Sequence, residues 1–230
     1  MTVAGTAGGG RHAVLLDLDG TLVDSRPGIL GSYAAVLRGL GHEPDPAVDL
    51  TWVIGPPLDD VMAEVLRHYG DDRVAEAIAA YRADYNARGY LGSSPYEGIA
   101  EALAALRAEG FLLHVATSKR TVPARLIIEH LGLDTLLDGV HGSEPGGAVD
   151  HKPELIAAVL GRIGIAAGDA VMVGDRRYDI AGAQANRVRS IGVLWGFGAR
   201  EELERAGADR LAHRPAALPA LVETLLRRRS

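Results

Sequence analysis

The chain has 230 residues, a formal net charge of -6 and 47% hydrophobic residues, the composition of a globular protein and not of a disordered one. It has no cysteine, which excludes disulfides, thiolate nucleophiles, cysteine zinc sites and iron–sulfur ligation. The acidic balance argues against nucleic-acid polymers as partners.

The first ten residues, MTVAGTAGGG, are small and uncharged in side chain and are expected to form a flexible leader over 1–10. They lack the basic start and apolar run of a secretory signal. No stretch approaches roughly 18 apolar residues, so no membrane span is expected. The expected location is cytoplasmic. His12-Ala-Val-Leu-Leu-Asp17 reads as a short buried strand. Helical spacing follows over Pro27 to Leu40, Pro57 to Tyr69 and Val74 to Tyr90. From Tyr96 onward, short apolar runs alternate with helical patterns. Strands are predicted at Phe111–Ala116, Gly139–His141, Ala170–Val173, Arg189–Val193 and Asp209–Ala212. Helices are predicted at Ile99–Ala108, Val122–Leu131, Pro153–Ile163, Asp179–Asn186 and Arg200–Ala206. A terminal helix ends in Arg227, Arg228 and Arg229, which complement its dipole. Strand–helix alternation specifies an α/β fold, a Rossmann-like core with a mostly parallel sheet, over 11–24 and 95–230. The all-helical stretch 25–94 is expected to be a small inserted α-helical cap domain.

In such sheets the reactive groups gather beyond the carboxyl ends of the strands. The first strand ends in Asp17-Leu18-Asp19-Gly20-Thr21. Side chains two apart on a strand share a side, so Asp17 and Asp19 converge, and Gly20 permits a sharp turn. Two close carboxylates persist where a cation bridges them or one keeps a proton. Thr117-Ser118-Lys119 follows another strand. A hydroxyl with free backbone N–H groups there suits a phosphate, or simply caps the next helix. Lys152 stands just before a helical run, a compact charge suited to a phosphate oxygen or clustered carboxylates. Val171-Met-Val-Gly-Asp175 ends a further strand in an acid, with Asp179 four residues on. That spacing across a helix start turns both carboxylates toward one face, and carboxylates are ligands that Mg²⁺ prefers.

These four segments, DLDGTLVDS, ATSK, HKPE and VGDRRYDI, resemble the four motifs of the haloacid dehalogenase superfamily of phosphohydrolases. The match runs from Val14 to about Gly198. The second Asp of the first motif resembles the phosphatase branch, and the helical insertion resembles a C1-type cap. Ile54-Gly-Pro-Pro-Leu58 and Leu194-Trp-Gly-Phe-Gly198 are similar to the phosphoglycolate-phosphatase-like group. TSKRTVPARLIIEHLGL is also similar to bacterial 5′-nucleotidases of the superfamily. Arg176-Arg177-Tyr178 is a departure, standing where many relatives carry small or polar residues.

The resemblance implies a Mg²⁺-dependent, phosphoglycolate phosphatase-like enzyme that hydrolyses a small phosphomonoester, a phosphorylated metabolite, through an aspartyl-phosphate. It implies that Asp17 is the nucleophile, Asp19 the general acid/base, and Lys152 a catalytic stabiliser of the phosphoryl group. Thr117 and Ser118 would bind the phosphoryl group, with Gly20 and Lys119 beside the substrate. Asp17, the Asp19 backbone carbonyl, Asp175 and Asp179 would serve the metal. Arg26 is the preferred substrate contact, since its fork suits a carboxylate such as that of phosphoglycolate. Ser25, Tyr33, Trp52, Tyr81, Tyr85 and Asn86 are further candidates, most of them expected in helix packing. A 5′-nucleotidase, a phosphomutase or an inert phosphate-binding relative are the alternatives, and monomer and homodimer are both compatible.

One count bears on the site. Of the 24 basic residues, 22 are Arg and two are Lys, Lys119 and Lys152. Both lysines fall inside the phosphate-site motifs.

Overall fold

Ala13-Val-Leu-Leu16 is apolar at every position, as only a strand covered on both faces can be. In the computed structural model, which describes residues 11–144 and 149–226, it forms β1 (Ala13–Leu16), fully buried. Val14 and Leu16 join one apolar cluster and Leu15 the other, so the helices pack on both faces. Each such buried side chain contributes on the order of 1.5–3 kcal/mol. The leader and Arg227, Arg228 and Arg229 lie outside the described residues. Among the described residues, no helix is long and apolar enough to cross a membrane.

The main sheet has six strands, β1, β4 (Leu112–Arg120), β5 (Gly139–Ser143), β6 (Ala170–Gly174), β7 (Arg189–Val193) and β8 (Arg210–Ala212). Their order is β5-β4-β1-β6-β7-β8, and every pairing is parallel. This is the Rossmann-type α/β sheet expected from the alternation. The chain builds outward from β1 through β4 to β5, then crosses to β6 on the other side. β1 therefore lies at the point where the winding reverses, and its tip has β4 and β6 as flanks.

Helices α4 (Ile99–Ala108), α5 (Thr121–His130), α6 (Lys152–Ile163), α7 (Arg177–Ala185), α8 (Arg200–Ala206) and α9 (Leu218–Leu226) connect or close these strands. The insertion is α1 (Arg26–Gly39), α2 (Leu58–Arg67) and α3 (Val74–Ala87). It hangs from a feature that the periodicity does not reveal. The two-residue strands β2 (Val23–Asp24) and β3 (Ser94–Pro95) pair antiparallel where the chain leaves and re-enters the core. Apolar side chains of the insertion, among them Tyr33, Met62 and Tyr85, belong to the same cluster as Val14 and Leu16.

β4 also runs further than expected. The extended backbone continues to Arg120, with the pairing to β5 interrupted between Ala116 and Arg120. The polar run Thr117-Ser118-Lys119 hides that continuation from an apolar-run reading.

Toward the outer edge, β4 and β5 bring His114 and His141 together, ring nitrogens 3.2 Å apart. Gly139 makes the room. A Cβ there would lie 2.9 Å from His114 Nδ1 and 3.0 Å from His141 Nε2. Burial lowers the pKa of His114, with Asp138 opposing and Arg11 reinforcing. Burial lowers His141 to about 4, helped by His114, Arg162 and Arg125. Both rings are thus folded in neutral, while the unfolded chain takes up protons near pH 6.5. Depressed folded values mean that this stability is present above about pH 6.5 and is lost as pH falls toward about 4. The wild-type melting temperature is therefore expected to fall across that window, and His141→Asn to flatten the fall. Parallel pH profiles of the two proteins by differential scanning calorimetry would overturn this.

Candidate active site

Parallel pairing fixes the first part of the site. With β4 and β6 on either side of β1, the residues after each strand meet at one edge. The N–H of Asp17 donates to the Val173 carbonyl at 2.9 Å, which ties the tip of β1 to that of β6. Asp17, Thr117 and Asp175 are all buried there. Gly20 turns the chain with φ +86, and a Cβ on it would collide with the Asp175 carboxylate and the Phe197 ring. Asp175 is held in turn by the Phe197 N–H at 2.7 Å and, at 3.5 Å, by the Thr21 hydroxyl.

Lys152 opens α6 and is 3% exposed. Its Nζ lies 2.7 Å from Asp17 Oδ1, 2.7 Å from Asp179 Oδ1, and donates to the Ala116 carbonyl at 2.8 Å. One hydrogen bond and two ion pairs thus converge on this ammonium. Asp179 is fixed from behind, because its Oδ2 accepts the Arg176 N–H at 3.1 Å in a capping arrangement at the start of α7.

The electrostatics of this cluster are unbalanced. Burial alone would pull the Lys152 ammonium down, but Asp17 and Asp179 outweigh it and its pKa is raised. Burial pushes the Asp17 carboxyl up to about 7, with Lys152 opposing and Asp179 and Asp19 adding to the rise. Burial, Asp179 and Asp17 push Asp175 well above the usual carboxylate range, while the Phe197 N–H pulls it back. One ammonium faces three buried carboxylates, and ligand oxygens of Asp17, Asp175 and Asp179 all lie within 4.8 Å of one another. Surplus negative charge on hard oxygen donors is the composition that accepts a hard divalent cation. The residues fit such an ion.

The second lysine meets the second acid. Lys119 Nζ lies 3.1 Å from Asp19 Oδ2, and 4.2 Å from the centroid of the Tyr85 ring on α3. Burial would lower the Lys119 pKa, but Asp19 and Tyr85 raise it on balance. Asp19 Oδ1 is buried without a hydrogen-bond partner. A cation from β4 thus pairs with Asp19.

A pocket opens between this sheet edge and the insertion. Asp17, Asp19, Thr117, Ser118 and Lys119 form its floor. Ile29, Tyr33, Val53, Ile54, Tyr81 and Tyr85 line it from the insertion, with Asn86. Tyr33 and Tyr81 lie 4.8 Å apart, and Tyr81 stacks on Tyr85 at 5.6 Å. Tyr33, Tyr81 and Tyr85 thus serve both packing and pocket.

Arg26, expected at the substrate, stands apart from this pocket. It is not among the residues lining this pocket. Its N–H is drawn to Asp24 Oδ1 at 3.0 Å at the start of α1. Its guanidinium lies over the Phe197 ring at 5.0 Å and 3.9 Å from Asp24. Ser25 is buried and Trp52 lines a neighbouring groove. Gly20 acts through its backbone turn beside Asp175.

Sequence reasoning missed the polar rim of the pocket. Arg82 pairs with Asp59 at 2.6 Å within the insertion. Arg120 pairs with Asp150 at 3.3 Å, bonds the Glu144 carbonyl and reaches Asp59 at 3.8 Å. These residues come from distant segments and carry no local pattern. Arg176, singled out as a departure, donates to the Ile54 carbonyl and pairs with Glu202 at 3.0 Å. It therefore fastens the core to the insertion directly after Asp175.

The model of haloacid dehalogenase-like hydrolases matches residues 14–193. A 5′-nucleotidase from Pseudomonas aeruginosa is 40% identical over 214 residues, 92% of this chain and 94% of its own. A tyrosine-protein kinase, PtkA, from Mycobacterium tuberculosis is 38% identical over 212 residues, 91% of this chain and 71% of its own. The crystal structure of a predicted phosphatase from Clostridium acetobutylicum superposes with a TM-score of 0.85 at 36% identity, covering 94% of this chain and 100% of the other. The family match spans the strand-tip acids, both lysines and the insertion between them, and the chain belongs to the haloacid dehalogenase-like hydrolase family as one of its phosphatases.

Proposed function

We propose that this phosphatase is Mg²⁺-dependent, works through an aspartyl-phosphate on Asp17, and acts on nucleoside 5′-monophosphates or closely similar esters with a neutral, ring-bearing leaving group. Asp17 attacks phosphorus and the bond to the leaving oxygen breaks. Asp19 gives that oxygen a proton. A water then attacks the phosphoryl group, Asp19 takes its proton, and Asp17 is freed. Lys152 and the Thr117 and Ser118 groups neutralise and orient the phosphoryl oxygens through the in-line transfer. Asp17, Asp175 and Asp179, with the Asp19 carbonyl, would hold Mg²⁺, whose contribution is charge neutralisation at phosphoryl and carboxylate oxygens. The helical insertion serves as the cap that excludes water and selects the leaving group.

The observation that carries the substrate reading is the pairing of the pocket's cations. Lys119, Arg82 and Arg120 are the basic residues lining it, and each is held by an acid. A substrate with a second anion, such as phosphoglycolate, finds no free partner there, and Arg26 lies outside. An unpaired charge taken into such a site is costly. The Tyr33, Tyr81 and Tyr85 wall suits a flat ring, and the Asn86 amide offers a donor and an acceptor to its edge. The likeness to the P. aeruginosa 5′-nucleotidase over nearly its whole length supports the same choice.

In a phosphate-release screen of nucleoside monophosphates, sugar phosphates and phosphoglycolate, the best nucleoside 5′-monophosphate is expected to exceed phosphoglycolate at least about tenfold in kcat/KM, a discrimination of the size one unpaired polar contact produces. Preference for phosphoglycolate would reverse the reading. Chelation of divalent ions is expected to stop turnover and Mg²⁺ to restore it. Asp17→Asn is expected to yield neither turnover nor a phosphorylated protein; acid-stable label on that variant after incubation with ³²P-substrate would remove Asp17 from its role. Lys152→Arg keeps the charge, but a planar guanidinium does not fit three acceptors at 2.7–2.8 Å. It is expected to lose about 100-fold or more in kcat, as loss of a placed electrostatic donor does, and near wild-type turnover would refute this.

A further inference from the structure

Lys119 has a role that substrate binding alone does not explain. Its side chain is 10% exposed, and its ammonium is taken up by groups of the protein. Asp19 Oδ2 lies 3.1 Å away and the face of Tyr85 lies 4.2 Å away. Lys119 is thus committed on one side to the core acid and on the other to the insertion. Asp19 has two oxygens in different circumstances. Oδ2 pairs with the lysine, whereas Oδ1 is shut off from solvent and has no hydrogen-bond partner, and the residue as a whole lines the pocket. A bond to one oxygen of a carboxylate fixes the side-chain torsions and so the direction of the other. The backbone of Asp19 is itself pinned by its bridge to Val23. The lysine side chain is the adjustable part.

We propose that Lys119 is a positioning residue that pairs with Asp19 Oδ2 and so fixes the direction of that carboxyl toward the leaving oxygen of the substrate, and that the Tyr85 ring of the insertion holds Lys119 in place to do so. The proposal rests on Asp19 acting as the general acid. It makes proton delivery depend on the insertion being seated, because Tyr85 leaves Lys119 when α3 does. Arg in place of Lys119 can still pair with the carboxylate and lie on the ring, whereas Met can do neither.

Loss of an acid's alignment is felt most where the leaving oxygen is most basic. The test is single-turnover release of the leaving alcohol from graded aryl phosphates, 4-nitrophenyl phosphate at one end, and from a nucleoside 5′-monophosphate, with Mg²⁺ present. Wild type, Lys119→Met, Lys119→Arg, Tyr85→Leu and Asp19→Asn are compared. Lys119→Met is expected to lose at least about tenfold more rate with the alkyl ester than with 4-nitrophenyl phosphate, a fraction of what a whole general acid supplies. Tyr85→Leu is expected to shift the rates in the same direction by less, and Lys119→Arg to recover most of the loss. In an Asp19→Asn background, Lys119→Met is expected to add no further loss, since both act through one group. Equal loss on all esters, or additive losses in the double variant, would overturn the role of Lys119. A flat response of Asp19→Asn itself to the leaving group would instead overturn Asp19 as the acid. Where Lys119→Met does not fold, judged by its melting curve, Tyr85→Leu decides by the same measurement: equal loss on all esters overturns the proposal.

Discussion

A single ammonium holds the centre of this molecule. Lys152 is buried, hydrogen-bonded to a β4 carbonyl and ion-paired with the acid after β1 and with an acid on α7, while itself opening α6. Four segments distant in sequence are therefore registered against one point charge. A buried charge that loses its partners is among the costlier defects a fold can carry, about 3–5 kcal/mol when one side of a pair is removed. Hence the geometry of the strand tips and that of the helix starts are not independent. The same arrangement leaves more carboxyl groups at Asp17, Asp175 and Asp179 than one ammonium balances, the composition that accepts a hard cation.

The insertion completes what the sheet begins. Tyr85 meets Lys119, Arg176 reaches the Ile54 carbonyl, and Arg120 faces Asp59. Each contact joins a core element to an insertion element at the pocket. Because the pocket's cations are matched by acids on its own walls, the surfaces it leaves open to a ligand are largely aromatic, aliphatic and amide ones.

Much of this was legible in the residues. The uninterrupted apolar run at Ala13–Leu16 marked a strand covered on both faces, and strand–helix alternation marked a parallel sheet. Asp17, Lys152 and Asp175 stood out because chemistry at a strand tip needs charged groups where the pattern otherwise demands apolar ones. Other features were hidden for physical reasons. β2 and β3 are two residues long, too short for any period. The continuation of β4 through Thr117-Ser118-Lys119 is polar because it lines a site. The direction of the Arg26 side chain was hidden because nearness in sequence to Asp19 does not set it, whereas Asp24 and Phe197 do. Arg176, a departure from many relatives by its sequence, is a fastening to the insertion.

By itself, then, the sequence determined the sheet, the inserted helices and the set of charged residues at one edge, because period, apolar runs and strand-end acids are local properties of the chain. The rarity of lysine even singled out the two ammonium groups of the site. Only the tertiary structure decided which acid each lysine serves: Lys152 the pair Asp17 and Asp179, Lys119 the pair Asp19 and Tyr85. It also decided which arginines the pocket sees and how they are neutralised. Those are matters of distance between segments far apart in the chain. They are fixed by the strand order around β1 and by the packing of the insertion over it, and no local pattern encodes them.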